Sequence, residues 1–175
     1  MKRRDSLLAL PAWLLAAAGP LAAAGPLGVI PAAADGGAAA PGQPVAWPAG
    51  VPLLDGRPWA PLPGQAQIVV IWSTTCPFCR RHNAHVEKLH RALAGRPGAV
   101  LGVARDRDPA AVQRYMATNG YSFPVTLAWR PLAAALSARN VIPLTATVGR
   151  DGRLQQVIPG EMFEEDVLEL ARLAT

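Results

Sequence analysis

The stretch Ile68–His82, IVVIWSTTCPFCRRH, holds both cysteines of the chain, Cys76 and Cys79. They stand two residues apart, directly after a run of β-branched apolar residues. The run from Gln67 to Ser73 is too short for a helix and shows no polar alternation, so it reads as a strand buried on both faces. Beyond the cysteines the period changes. Cys79, His82, Val86, Leu89 and Leu93 step by three and four, which places them on one face of a helix. Gly95 and Pro97 end that helix. The two thiols therefore sit where a buried strand turns into a helix.

Such a junction favours sulfur chemistry. The first cysteine lies by free backbone N–H groups at the positive end of the helix dipole, where a thiolate is stabilised. Arg80 and Arg81 add positive charge. Pro77 pre-sets the first helical turn, and Phe78 offers apolar surface beside the exposed sulfur. Cys76 is then the attacking sulfur. Cys79, one turn further in on the buried face, is the resolving sulfur that breaks a mixed disulfide.

The flanking sequence continues the alternation. GAVLGVAR (98–105) reads as a second buried strand. Asp108 caps a helix over about 109–119, with Pro109 at its first position and Gly120 at its end. SFPVTLAW (122–129) is a short strand, and Leu132 to Ala138 a short helix. PLTATVGRDGRLQQVIPG (143–160) reads as two strands joined by the turn Arg150-Asp151-Gly152. Glu161 to Ala174 closes the chain as an amphipathic helix through Phe163, Val167, Leu170 and Leu173. Upstream, Asp55-Gly56 marks a small hairpin. Residues 35–50, DGGAAAPGQPVAWPAG, read as a flexible linker. The order of strands and helices implies a mixed sheet with helices on its faces, and a lone C-x-x-C in that setting points to a thioredoxin-like redox site.

The 175-residue chain is 51% hydrophobic and 17% charged, which suits one folded domain after a targeting segment. Its net charge of +5 comes without a run of five like charges, so a nucleic-acid partner is not expected. The N-terminus reads as an export signal over residues 1–34. Lys2, Arg3 and Arg4 open it, an apolar stretch runs from Leu7 to Ala18, and Ala32-Ala33-Ala34 offers a cleavage site. Arg3-Arg4 leaves the twin-arginine route open. Prolines at 11, 20, 26 and 31 keep every apolar run below the ~20 residues of a membrane span, although an uncleaved anchor remains an alternative. Export would place both thiols in an oxidising compartment. A disulfide across so short a loop removes little unfolded-state entropy, so the pair is better suited to chemistry than to stapling.

VVIWSTTCPFC resembles the FW-A-x-W-C-x-x-C signature of the thioredoxin superfamily. Within it the chain is similar to the exported TlpA/ResA-type disulfide reductases. The export signal, the LLDGRPW hairpin (53–59) and VIPLTATVGRDGRL (141–154) carry that likeness; the last resembles V-x-x-x-P-T-T-F-L-I-D-x-D-G-x-I. The resemblance covers roughly residues 51–174. It implies an α/β, three-layer thioredoxin-like fold over residues 51–175, with a mixed central sheet, helices on both faces and an added N-terminal hairpin. It implies a periplasmic thiol–disulfide oxidoreductase without cofactor, acting on protein disulfides or dithiols such as haem-attachment thiols of apocytochrome c and fed by a membrane electron donor. It also implies a cis peptide between Ile142 and Pro143 opposite the disulfide, where a substrate segment could pair by strand addition. Trp72 matches a tryptophan that lies close to the disulfide.

Three departures limit the match. Where the family carries a buried Asp or Asn six residues before the first cysteine, this chain has Val70. Where some relatives have Glu three residues after the second cysteine, it has His82, which faces inward and is a candidate acid–base partner for Cys79 or else a buried space-filler. The family's P-T-T is here Pro143-Leu144-Thr145. The competing reading is a copper-binding module that uses Cys76, Cys79, His82 and His85, soft thiolate and imidazole ligands within two helical turns. A peroxidase is disfavoured, because the proline- and threonine-rich loop before a lone cysteine is missing.

Overall fold

A computed structural model describes residues 37–175, so the export signal expected over 1–34 lies outside the described residues. Seven strands and four helices follow in the order β1 (Val51–Pro52), β2 (Pro58–Trp59), β3 (Ala66–Trp72), α1 (Pro77–Ala92), β4 (Gly98–Ala104), α2 (Pro109–Asn119), β5 (Val125–Thr126), α3 (Trp129–Leu136), β6 (Leu144–Val148), β7 (Leu154–Pro159) and α4 (Glu164–Glu169), with a closing 3-10 turn over Leu170–Ala174. Strands β1 and β2 pair antiparallel as the hairpin expected around Asp55-Gly56. The other five form one sheet in the order β5-β4-β3-β6-β7. Strands β3, β4 and β5 run parallel, while β6 and β7 are antiparallel to their neighbours. The mixed sheet with helices on both faces is the three-layer α/β architecture that the sequence implies.

Strand β3 is central, and all seven of its residues are buried. Its alternation sorts the core into two layers. Ile68, Val70 and Trp72 face α1, α2 and α4, against Val86, Leu89, Val112, Met116 and Val167. Val69 and Ile71 face α3, against Leu132 and Leu136. Full burial of each such aliphatic side chain contributes about 1.5–3 kcal/mol, so the two layers supply most of the drive to fold.

The second layer has only one short helix, and the segment read as a flexible linker completes it. Val45 and Trp47 of that segment pack into this layer, joined by Val51 and Trp59 of the hairpin. Gly42 and Val45 donate backbone hydrogen bonds to Leu154 and Gly152, and Leu154 donates back to Gln43. Further along, Leu54 donates to the Val125 carbonyl, and Thr126 Oγ1 donates to Pro52. The N-terminal segment thus crosses the α3 face and covers both sheet edges, which would otherwise present unpaired backbone groups. Its Gly/Ala/Pro composition conceals this, because the pairing runs through the backbone.

Two helix boundaries also differ from expectation. Helix α3 begins at Trp129, three residues before Leu132, and no side chain caps it. The C-terminal helix is α only over Glu164–Glu169, and Phe163 stands 76% exposed before it, not on its buried face. Met162 takes the buried place beside it.

Candidate functional site

Cys76 is the N-cap of α1, with extended backbone, and Pro77 occupies the first helical position. The Cys76 sulfur accepts the Cys79 backbone N–H at 3.1 Å, so it already holds the place where a reduced thiolate would meet the helix terminus. No acidic residue lies in the first turn of α1 to compete with that charge. The two cysteines are disulfide-bonded, with their Cα atoms 5.2 Å apart. Cys79 is fully buried, whereas Cys76 is half-buried, so only Cys76 of the two is accessible at all from solvent.

The surroundings hold that junction in place. The Arg105 N–H donates to the Trp72 carbonyl, which ties the end of β3 to the loop after β4. Asp106 in that loop accepts from the Thr74 N–H at 3.1 Å, from the Thr74 hydroxyl, and from the Ser73 hydroxyl at 3.3 Å. One carboxylate therefore fixes the turn that leads into Cys76. Sequence reasoning missed Asp106, because its partners lie 32 and 33 residues away and no local motif marks it. Trp72 is buried beneath the site, its ring 5.1 Å from that of Tyr115. Phe78 is 55% exposed beside the disulfide, and the Arg81 guanidinium lies 5.3 Å from its ring centre.

Arg81 is not a free charge. Its guanidinium makes a two-point contact with the Glu161 carboxylate. That contact raises the pKa of Arg81 and lowers that of Glu161. Arg80, which is exposed, keeps the cationic part expected of both.

His82 is fully buried on the inner face of α1. Its Nδ1 accepts the Met162 backbone N–H at 3.3 Å, so Nε2 carries the hydrogen and donates to the Thr145 hydroxyl at 3.0 Å. Burial, with a smaller repulsion from His85, lowers its pKa to about 4, against an attraction from Glu161. The imidazole is neutral near pH 7, and both nitrogens serve the packing of α1 on β6 and Met162. The acid–base part expected from the sequence has no hydrogen bond to either sulfur to support it. Thr145 is the cross-strand neighbour of Val70. A polar pair thus stands one strand away from the position where the family carries Asp or Asn.

The Ile142–Pro143 peptide is cis. Pro143 is buried, and its carbonyl accepts the Gly160 N–H at 2.8 Å, while Ile142 is half-buried. Leu144 opposes Ile71, so residues 141–143 lie at the same end of the sheet as Cys76. The four residues of the copper reading do not converge. His82 is engaged as above, and His85 Nδ1 lies 3.2 Å from Glu164 Oε2. Among the described residues no three His, Cys, Asp or Glu side chains are grouped to hold a metal ion.

A mixed five-stranded sheet with a disulfide at the start of its first long helix and a cis-proline at the same end defines a thioredoxin-like protein. Solved structures of this class superpose on it. A thiol:disulfide interchange protein of the thioredoxin family from Chlorobium tepidum is 26% identical, has a TM-score of 0.65, and is covered over 77% of this chain and 99% of its own. StoA from Bacillus subtilis matches in fold at 19% identity and a TM-score of 0.62, over 75% of this chain and 99% of its own. The Redoxin family model matches residues 59–173, and the chain belongs to the Redoxin family. Within the superfamily it is TlpA/ResA-like: the thiol-disulfide oxidoreductase ResA of Halalkalibacterium halodurans is 27% identical over 112 residues. That match covers 64% of this chain and 64% of the length of ResA.

Proposed function

We propose that this protein is an exported thiol–disulfide oxidoreductase that reduces disulfides in other proteins of the cell envelope, the haem-attachment cysteines of apocytochrome c among them. The observation that carries the reading is the asymmetry of the pair: a partly exposed Cys76 on a helix terminus, and a fully buried Cys79 bonded to it. In the reduced protein the Cys76 thiolate attacks one sulfur of the substrate disulfide. A mixed disulfide forms, and the first substrate thiolate leaves and takes a proton from water. Cys79 gives up its proton and attacks the Cys76 sulfur, which releases the second substrate thiol. Two electrons pass to the substrate, and the Cys76–Cys79 disulfide is left. A membrane dithiol donor restores the reduced form.

Phe78, Ile142 and the cis-Pro143 segment form the substrate-facing rim, with Trp72 and Pro77 as its support. The periplasmic location rests on the basic, apolar leader of residues 1–34. Among the described residues no helix is long and apolar enough to cross a membrane.

The test is a Cys79→Ser variant incubated with an oxidised protein substrate. The expected product is a stable mixed disulfide at Cys76, which mass spectrometry maps, while Cys76→Ser forms none and loses insulin reduction. Insulin reduction retained by Cys76→Ser would end the proposal. The equilibrium potential against glutathione then sets direction: a value near the thioredoxin end, about −270 mV, supports a reductase, and one near about −120 mV an oxidase.

A further inference from the structure

Around Cys76 the basic side chains outnumber the acidic ones that remain free. Arg80 follows in the first turn of α1, and its N–H reaches the Cys76 carbonyl. Arg105 and Arg107 lie in the loop after β4, and Arg130 lies in the first turn of α3. All four belong to the end of the sheet that carries Cys76, since β3, β4 and β5 run parallel and deliver their following loops there. None of the four has a side-chain carboxylate within 4.0 Å among the described residues, a property they share with Arg96, Arg139 and Arg150, whereas Arg57, Arg81, Arg91, Arg114, Arg153 and Arg172 each have one.

The nearby acids are occupied. Asp106 is taken up by Ser73 and Thr74, Asp108 caps α2 through the Ala110 N–H, and Glu161 holds Arg81. Two of the free cations are also pre-positioned. The guanidinium of Arg105 lies 4.7 Å, and that of Arg130 5.1 Å, from the centre of the Trp129 ring. Stacking on an aromatic face leaves the edges of a guanidinium open to a carboxylate and reduces the entropy lost when one binds. Exposed Phe78 and Val141 add apolar surface near the sulfur.

We propose that Arg105, Arg107 and Arg130, with Trp129 as their platform, form a docking face for acidic polypeptide segments that flank the substrate cysteine. The inference rests on the exchange reading above and names its substrate class. Favourable charge at the rim acts on encounter rate and on salt dependence, while the redox step itself stays with the two sulfurs.

The experiment compares three substrates for the full reduced protein. Two are synthetic peptides with the same intramolecular disulfide, one flanked by Asp and Glu, the other by Ser and Gly. The third is hydroxyethyl disulfide, which is small and uncharged. The acidic peptide is expected to react with about tenfold higher kcat/KM than the neutral one at low ionic strength, and the gap should close as salt shortens the Debye length to a few ångströms, at about 1 M. The triple variant Arg105→Gln, Arg107→Gln, Arg130→Gln should lose that preference and keep its rate with hydroxyethyl disulfide. Equal rates for the two peptides would overturn the docking face and leave the exchange reading intact. No reaction with any of the three would overturn the exchange reading itself. Co-sedimentation with phosphatidylglycerol vesicles through the same arginines, without any peptide preference, would overturn the polypeptide assignment in favour of an anionic lipid surface.

Discussion

His82 Nε2 lies 3.0 Å from the Thr145 hydroxyl, and Thr145 is the cross-strand neighbour of Val70. This buried pair fastens the inner face of α1 to β6, next to the strand that leads into the disulfide. It also gives folding a pH dependence of known sign. The His82 pKa falls from an ordinary 6.5 to about 4 on folding. The unfolded chain therefore takes up a proton at higher pH than the folded one. Stability is fully present above about pH 6.5 and declines as acidification proceeds toward pH 4, by about 3 kcal/mol for this one group. His90, whose pKa burial also lowers, contributes in the same sense. Urea unfolding at pH 7.5 and 4.5, for wild type and His82→Gln, isolates the first contribution. The stability advantage of wild type should shrink markedly at the lower pH. An advantage of the same size at both pH values would remove the assignment of His82 as a buried neutral clamp.

Asp106 braces the turn into Cys76 through Thr74 and Ser73. Asp106→Ala should release that turn. We expect a several-fold drop in kcat/KM for insulin reduction together with a stability loss of about 1–2 kcal/mol, while Asp106→Asn, which keeps an acceptor, retains more of both. An alanine variant with wild-type turnover would show that the brace does not matter to the sulfur.

Gly102 lies in the middle of β4, and a Cβ there would stand 2.8 Å from the Phe123 ring and 3.0 Å from Trp72 Nε1. Both rings are buried. Gly102→Ala is expected to cost about 1–3 kcal/mol by overpacking, and thermal unfolding measures it. The same substitution at Gly42, whose Cβ meets no atom within 4 Å but whose φ is +81°, tests backbone strain without a clash.

The strand Ala66–Trp72 and helix Pro77–Ala92 were legible because the change of period from buried run to 3.6-residue spacing falls at Pro77, a residue with only one backbone role there. Asp108 and Gly120 marked α2 for the same local reason. Contacts without a local signature were not legible. Asp106 reaches Thr74, and Glu161 reaches Arg81 across 80 residues, through positions that in sequence look like ordinary surface charges. The segment before β1 reads as a linker in the sequence because its backbone pairing with Leu154 needs no particular side chain. The start of α3 carries no sequence signal because Ala128 offers no cap. The exposed place of Phe163 follows from Met162 filling the site by His82, a choice that only packing makes.

Alkylation of the reduced protein by iodoacetamide, followed cysteine by cysteine with mass spectrometry across pH, addresses the sulfur chemistry directly. Cys76 should be modified near its maximal rate already at pH 7, with Cys79 at least about tenfold slower because its sulfur is buried. A Cys76 profile with its midpoint near that of free cysteine, about 8.5, or equal rates for the two thiols, would contradict the account.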